Sequence, residues 1–184
     1  MVRPCGAFRG GSRYCDVVIA LARGTTPFGV LVELLSFDPD VIVPEAPSKY
    51  DDFGEKSDDR FDHVGVSRLL IAADGVVVGT MTYHPVWYGP NPSSRAFNQG
   101  LGIVPAFRGK GIGTTCQKLI LDLLFATTDV FRIEASTDIT NIGEQKALER
   151  AGFTREGILR GAQVRADGRH DLIAYSVLRT DLRP

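Results

Sequence analysis

The segment that most restricts how this chain can fold runs Gly102-Ile103-Val104-Pro105-Ala106-Phe107-Arg108-Gly109-Lys110-Gly111-Ile112-Gly113-Thr114. An apolar strand leads into three alternating glycines, and an amphipathic helix starts among them. Ile112, Cys116, Leu119, Ile120, Leu123 and Leu124 recur at i, i+3 and i+4 spacing, which is one buried helical face. Glycines remove the Cβ atoms that would block an approaching anion. The unpaired N–H groups of the first helical turn point at such an anion, with the positive end of the helix dipole behind them. Arg108 and Lys110 add positive charge at the same place, so the turn suits a phosphate or pyrophosphate. A P-loop, G-x-x-x-x-G-K-[ST], is absent, and G-x-G-x-x-G fails at Thr114 when counted from Gly109 and at Cys116 when counted from Gly111. What matches is R-x-x-G-x-G at Arg108, Gly111 and Gly113.

Around this turn the pattern is mixed α and β. Asp-Gly between apolar runs is the strongest short-range hairpin signal. It joins Ser67–Ala73 to Val76–Tyr83 through Asp74-Gly75, and Thr154–Ala166 to Arg169–Leu178 through Asp167-Gly168. Between the hairpins lie strands from about Ala96 to Val104 and Phe131 to Ser136, and helices from about Gly111 to Phe125 and Asn141 to Ala151, the second closed by Gly152. Upstream, Asp16–Arg23 reads as a strand. Pro27–Leu35, apolar at Phe28, Val30, Leu31, Leu34 and Leu35, reads as a first helix. Residues 1–15 form a loose lead-in and 16–184 a single domain. Phe37–Asp62 is a long loop with no periodicity.

Composition narrows the function. A net charge of −1 argues against a surface built for nucleic acid, whose binding needs a basic excess. Three cysteines, Cys5, Cys15 and Cys116, fit no zinc or redox spacing and read as reduced thiols. His63 and His170 share no metal spacing with cysteine or acid, so no metal site is expected. The longest early apolar run, Val17–Ala22, is too short for a signal-peptide core or a membrane helix. A cytoplasmic protein with no membrane partner is the expectation.

With R-x-x-G-x-G in place after a strand and a proline, the chain resembles the GCN5-related N-acetyltransferase superfamily. Further matches point to its RimJ/RimL-type branch: Arg132-Ile133-Glu134-Ala135, Asn141, Ala147-Leu148-Glu149-Arg150-Ala151-Gly152-Phe153, Glu156-Gly157-Ile158-Leu159-Arg160, then Asp171 and Tyr175. The resemblance covers roughly Asp16 to Asp181. It implies an α/β (α+β mixed) fold with a central, mostly antiparallel sheet of about seven strands, flanked by helices, whose fourth and fifth strands splay apart. It implies acetyl-coenzyme A as acyl donor, no metal, and direct attack of a primary amine on the thioester. The pantetheine arm would pair with backbone near Ile103 and Val104. The pyrophosphate would sit on Arg108, Gly109, Lys110, Gly111, Ile112, Gly113 and Thr114, and Asn141 would bond the arm or else act as a helix N-cap. The acceptor is expected to be a small cationic amine or a protein N-terminal α-amine, and a homodimer is left open.

The familiar acids do not carry over. The superfamily's tyrosine position is Leu148, and the branch's serine position is Glu144. Glu144 can act as a base, or it can complete a capping box with Asn141. Glu134 on the fifth strand can reach the cleft or pair with an arginine. Tyr83, His84, Trp87 and Tyr88 can line an acceptor site or simply pack. Two other readings remain: an acyltransferase for a longer acyl group, and a non-catalytic acyl-coenzyme A sensor. Between Asp38 and Asp62 nine acids face three bases, a local charge of −6 that would attract a cationic acceptor.

Overall fold

The computed structural model describes residues 19–43, 45, 48–50, 52–53 and 65–181. Eight strands and two helices follow in order: β1 Ala20–Thr25, β2 Leu31–Ser36, β3 Ser67–Ala73, β4 Val76–Trp87, β5 Arg95–Ile103, α1 Ile112–Thr127, β6 Arg132–Asp138, α2 Ile142–Ala151, β7 Thr154–Arg165 and β8 Gly168–Leu178. They form one sheet in the order β1-β2-β3-β4-β5-β6-β8-β7. Every neighbouring pair is antiparallel except β5 and β6, which α1 connects as a crossover and which therefore run parallel. The sheet has eight strands where about seven were expected. Among the described residues no helix is long and apolar enough to cross a membrane.

The extra strand is the stretch whose spacing suggested a first helix. Residues 27–35 are instead a turn followed by β2. Thr26 N–H donates to Val30 O (2.9 Å), Gly29 N–H donates to Thr26 O (3.0 Å), and Gly29 takes a left-handed φ of +83°. Beyond the turn, Val32 and Leu34 are wholly buried while Leu31 is exposed, which is the alternation of a strand. The i, i+3, i+4 match arises because helical spacing puts Leu31 and Leu35 on the same face as Leu34. Pairing with β1 on one side and β3 on the other decides the matter. Residues 1–18, which hold the expected lead-in with Cys5 and Cys15, lie outside the described residues, as does His63.

Both hairpins form. At the first, Asp74 (φ +48°) and Gly75 (φ +81°) are both left-handed, as a type I′ turn requires. At the second, Arg165 pairs with Gly168, so the two turn residues are Ala166 and Asp167, one position earlier than the Asp-Gly signal suggests. The core lies between one sheet face and the helices. Ile112, Cys116, Ile120 and Leu124 of α1 and Leu148 and Ala151 of α2 pack with Ile133, Ala135, Ile173, Tyr175 and Val177 of the sheet. Burying each of the larger side chains contributes about 1.5–3 kcal/mol. Arg179 anchors the far end of α1, its guanidinium donating to the carbonyls of Phe125, Thr128 and Val130.

The feature that positions the site is a split in the sheet. β5 and β6 pair only at Phe97↔Ile133 and Asn98↔Glu134. Beyond that, β5 stays with β4 as far as Ile103, and β6 stays with β8 as far as Asp138, so a gap opens between them. β4 and β5 lie so close that a Cβ on Gly79 would fall 2.0 Å from Gly102 O, and only glycine fits there.

Candidate active site

A cleft of about 1000 Å³ occupies this gap and is lined from both faces of the sheet. On the helix side stand Gln99, Ile103, the glycine turn, Asn141 and Glu144. On the other side stand Thr80, Thr82, Ser136, Asp138, Gln163 and Arg165, with Ser48 and Tyr50 from the long loop.

The glycine turn is built as an open anion cradle. Gly109 (φ +73°) and Gly111 (φ +77°) are both left-handed, and Gly111 is the N-cap of α1 with no side chain to cap it. No acid stands in the first turn of α1. The N–H groups of Ile112, Gly113 and Thr114 have no acceptor within their helix. A Cβ on Gly113 would meet only Ile103 Cδ1, at 3.7 Å. Arg108, Gly109, Gly111, Ile112, Gly113 and Thr114 all line the cleft. Arg108 also braces the turn, its Nε donating to Ile103 O at 2.7 Å. Lys110 does not line the cleft; its Nζ lies 4.8 Å from the centre of the Phe107 ring, against which its charge is held.

The strand edge is more selective than the sequence suggested. Val104 N–H donates to Val78 O across to β4 (2.9 Å), and Val104 O accepts from Phe107 N–H (3.0 Å). Both of its backbone groups are therefore occupied. Because the ladder alternates, Gln99, Leu101 and Ile103 turn their backbone groups away from β4 toward the gap. Leu101 and the N–H of Ile103, not Val104, form the edge an arm could pair with, since Ile103 O already accepts from Arg108 Nε.

Asn141 caps α2. Its Oδ1 accepts from Glu144 N–H at 3.4 Å, and its Nδ2 donates to Thr137 Oγ1 at 3.1 Å. It also lines the cleft, with one amide proton and one lone pair remaining. The reciprocal half of a capping box does not form, because the Glu144 carboxylate turns away from Asn141 N–H. Its Oε1 instead accepts from Gln117 Nε2 of α1 at 2.5 Å. Burial pushes the Glu144 carboxyl up to about 7, with the Gln117 hydrogen bond opposing the rise. Leu148, at the tyrosine position, is fully buried in the core. Cys116, also buried, has its thiol pushed up by burial to about 12 and is inert as a nucleophile.

Glu134 is not in this cleft. It faces a second cavity of about 540 Å³ that also touches Tyr88, Asn98, Arg132 and Glu156. There its carboxylate accepts from Tyr88 Oη (2.6 Å) and Arg132 Nε (3.1 Å), while the Arg132 guanidinium also grips Glu156. Strand alternation decided between the two readings: Arg132 and Glu134 share one face, so the carboxylate pairs with arginine. The aromatic cluster also stays outside the cleft. Tyr83 packs edge-on against Phe97, and His84, Trp87 and Tyr88 are exposed. Among the described residues no group of three or more His, Cys, Asp or Glu is arranged to hold a metal ion.

Sequence reasoning missed three features. Gln99 and Gln117 are buried glutamines, visible only as polar residues inside apolar patterns. Asp138 and Arg165 form a buried ion pair (2.7 Å) at the non-helix end of the cleft, joined by His170 at 3.3 Å. Burial would raise the Asp138 carboxyl, but hydrogen bonds from Thr140 and Arg165 outweigh it and hold the group below its ordinary value.

Residues 31–153 match the model of the Acetyltransferase (GNAT) family. The chain is 33% identical over 92 residues to Probable N-acetyltransferase YjcK of Bacillus subtilis, covering 50% of this chain and 49% of that protein. It is 31% identical over 67 residues to a Kanamycin resistance protein of Rhizobium radiobacter, covering 36% of this chain and 61% of that one. Among solved structures, Mycobacterium smegmatis RimJ in complex with CoA-disulfide superposes with a TM-score of 0.59 at 24% identity, covering 66% of this chain and 57% of the other, a likeness of fold. The chain thus spans about half the length of the first of these relatives.

Proposed function

Because this chain belongs to the GNAT acetyltransferase family, we propose that it transfers an acetyl group from acetyl-coenzyme A to a primary amine. The observation that carries this reading is the uncapped, acid-free glycine turn at the mouth of a gap between two parting strands. The residues fit the donor. Gly111 has the left-handed backbone the cradle needs, and Gly113 leaves its surface bare. Arg108 and the turn through Thr114 would hold the pyrophosphate. The Leu101 and Ile103 edge and the spare capacity of Asn141 would hold the pantetheine arm. When bound, the thioester supplies an activated acyl carbon.

The chain's own task is to manage protons. An alkyl-ammonium acceptor has a pKa near ~10 and must lose a proton before its nitrogen can attack. Glu144, titrating at about 7, is suited to accept that proton at neutral pH. In the transfer the amine nitrogen would bond to the acyl carbon as the carbon–sulfur bond breaks; the nitrogen's second proton would pass to the departing sulfur, and the first, taken by Glu144, would leave to water. Leu148, in the core, takes no part.

The acceptor would enter from the face holding Thr80, Thr82, Asp138 and Arg165, and its nitrogen would pass through the gap between β5 and β6 to the side where Gln99 and Glu144 stand. Its class, a small cationic amine or a protein N-terminal α-amine, is decided by measuring thiol release with a panel containing aminoglycosides, polyamines and short peptides. Turnover with at least one such amine is expected in a cytoplasmic setting. Tight binding of acetyl-coenzyme A with no turnover on any of them would make the chain a sensor.

A further inference from the structure

Gln99 lies at the apex of the gap, one residue past the last β5–β6 pair. It is 3% exposed and lines the cleft, yet neither Nε2 nor Oε1 has a hydrogen-bond partner among the described residues. Leaving such groups unpaired in the interior is costly, so buried amides almost always find partners. The amide stands four residues before Ile103, roughly 13 Å along the strand at ~3.3 Å per residue. That distance takes a ligand anchored at the glycine turn up to the apex.

We propose that Gln99 is the residue that reads the acyl group, its Nε2 donating to the acyl carbonyl oxygen and its Oε1 facing the incoming amine. The inference rests on the acyltransferase reading above. An unpartnered amide needs at least one acceptor for its NH2 and one donor for its oxygen. The acyl carbonyl is an acceptor and the attacking amine carries N–H donors, so the two reactants together give each amide atom a partner. Coenzyme A without an acyl group offers no such carbonyl. Gln99 therefore separates the loaded donor from the spent one, and it holds the acyl carbon where the amine arrives.

The test compares wild type with Gln99→Leu and with the longer Gln99→Met, using calorimetry with acetyl-coenzyme A and with free coenzyme A, and thermal melting without ligand. Both variants should weaken acetyl-coenzyme A about tenfold, one hydrogen bond's worth, and leave coenzyme A within about twofold. Removing an unpaired buried amide should also raise the ligand-free melting temperature by ~2–4 °C. A lower melting temperature in both variants, or equal weakening of both ligands, would mean that Gln99 only supports the fold, and the proposal would fall. If wild type binds neither ligand, the acyltransferase reading itself fails, and the proposal with it.

Discussion

Gln117 Nε2 donates to Glu144 Oε1 across 2.5 Å, tying the middle of α1 to the first turn of α2 inside the cleft wall. This bond takes the Glu144 carboxyl away from the helix cap. It fixes a carboxyl that burial has pushed up to about 7 in a wall shared by the glycine turn.

Glu144→Gln should therefore lower kcat/KM for the acceptor about 10²-fold, the low end for acid–base catalysis, with acetyl-coenzyme A affinity nearly unchanged. In wild type kcat/KM should rise with pH through about 7, because the base must be deprotonated, and the variant should lose that inflection. A rate that instead falls through about 7 would make Glu144 the acid for the leaving sulfur.

The same group has a stability signature. Its folded pKa lies above the unfolded value of 4.5, so the folded state holds the proton more tightly. Glu144 adds stability that is fully present below about 4.5 and is lost as pH rises through about 7. The loss is up to ~3 kcal/mol by linkage. Denaturant melts of wild type and Glu144→Gln at pH 5 and pH 8 check this. The wild type should weaken relative to the variant at the higher pH.

At the other end of the cleft, the Asp138–Arg165 pair is almost wholly out of water, with side chains 2% and 4% exposed. Removing one partner leaves the other buried and uncompensated. Asp138→Asn should destabilise the fold by about 3–5 kcal/mol in chemical denaturation. A cost below about 1 kcal/mol would show that the pair is well solvated in solution.

How far the sequence foretold these features depended on whether the signal was local. The glycine turn, the helix behind it, the Asp74-Gly75 hairpin and the Asn141 and Gly152 caps all rest on residues a few positions apart, and all are legible in the chain. β2 differs from the helix its spacing suggests because its identity comes from β1 and β3 pairing on either side, which periodicity over nine residues does not encode. Glu134 remained ambiguous for the same reason: the Glu156 side chain that completes its arginine's pairing comes from β7, 22 residues on. Gln99 carries no local mark beyond being a polar residue in an apolar pattern. Only burial at the point where β5 and β6 part sets it apart.

The acidic segment makes an electrostatic prediction. Ser48 and Tyr50 line the cleft, and Asp52 O accepts from Ala166 N–H (2.9 Å), which ties this part of the loop to the β7–β8 turn. Asp51, Asp58 and Asp59 lie outside the described residues. Replacing Asp51, Asp52, Asp58 and Asp59 with asparagine should raise KM for a cationic acceptor and flatten its salt dependence, with KM for acetyl-coenzyme A unmoved. Wild-type acceptor kinetics in that variant at low salt would reduce the segment to a solubility feature.

The central claim is that the open N-terminus of α1 holds the donor's phosphates, and calorimetry of acetyl-coenzyme A on wild type and Gly113→Asp tests it most directly. The substitution meets only ordinary contact with Ile103, so the variant should fold, as circular dichroism would verify. It also places a carboxylate on the anion site. Binding of one acetyl-coenzyme A per wild-type chain, lost in the folded variant, is the predicted result; equal affinity in both would contradict the account.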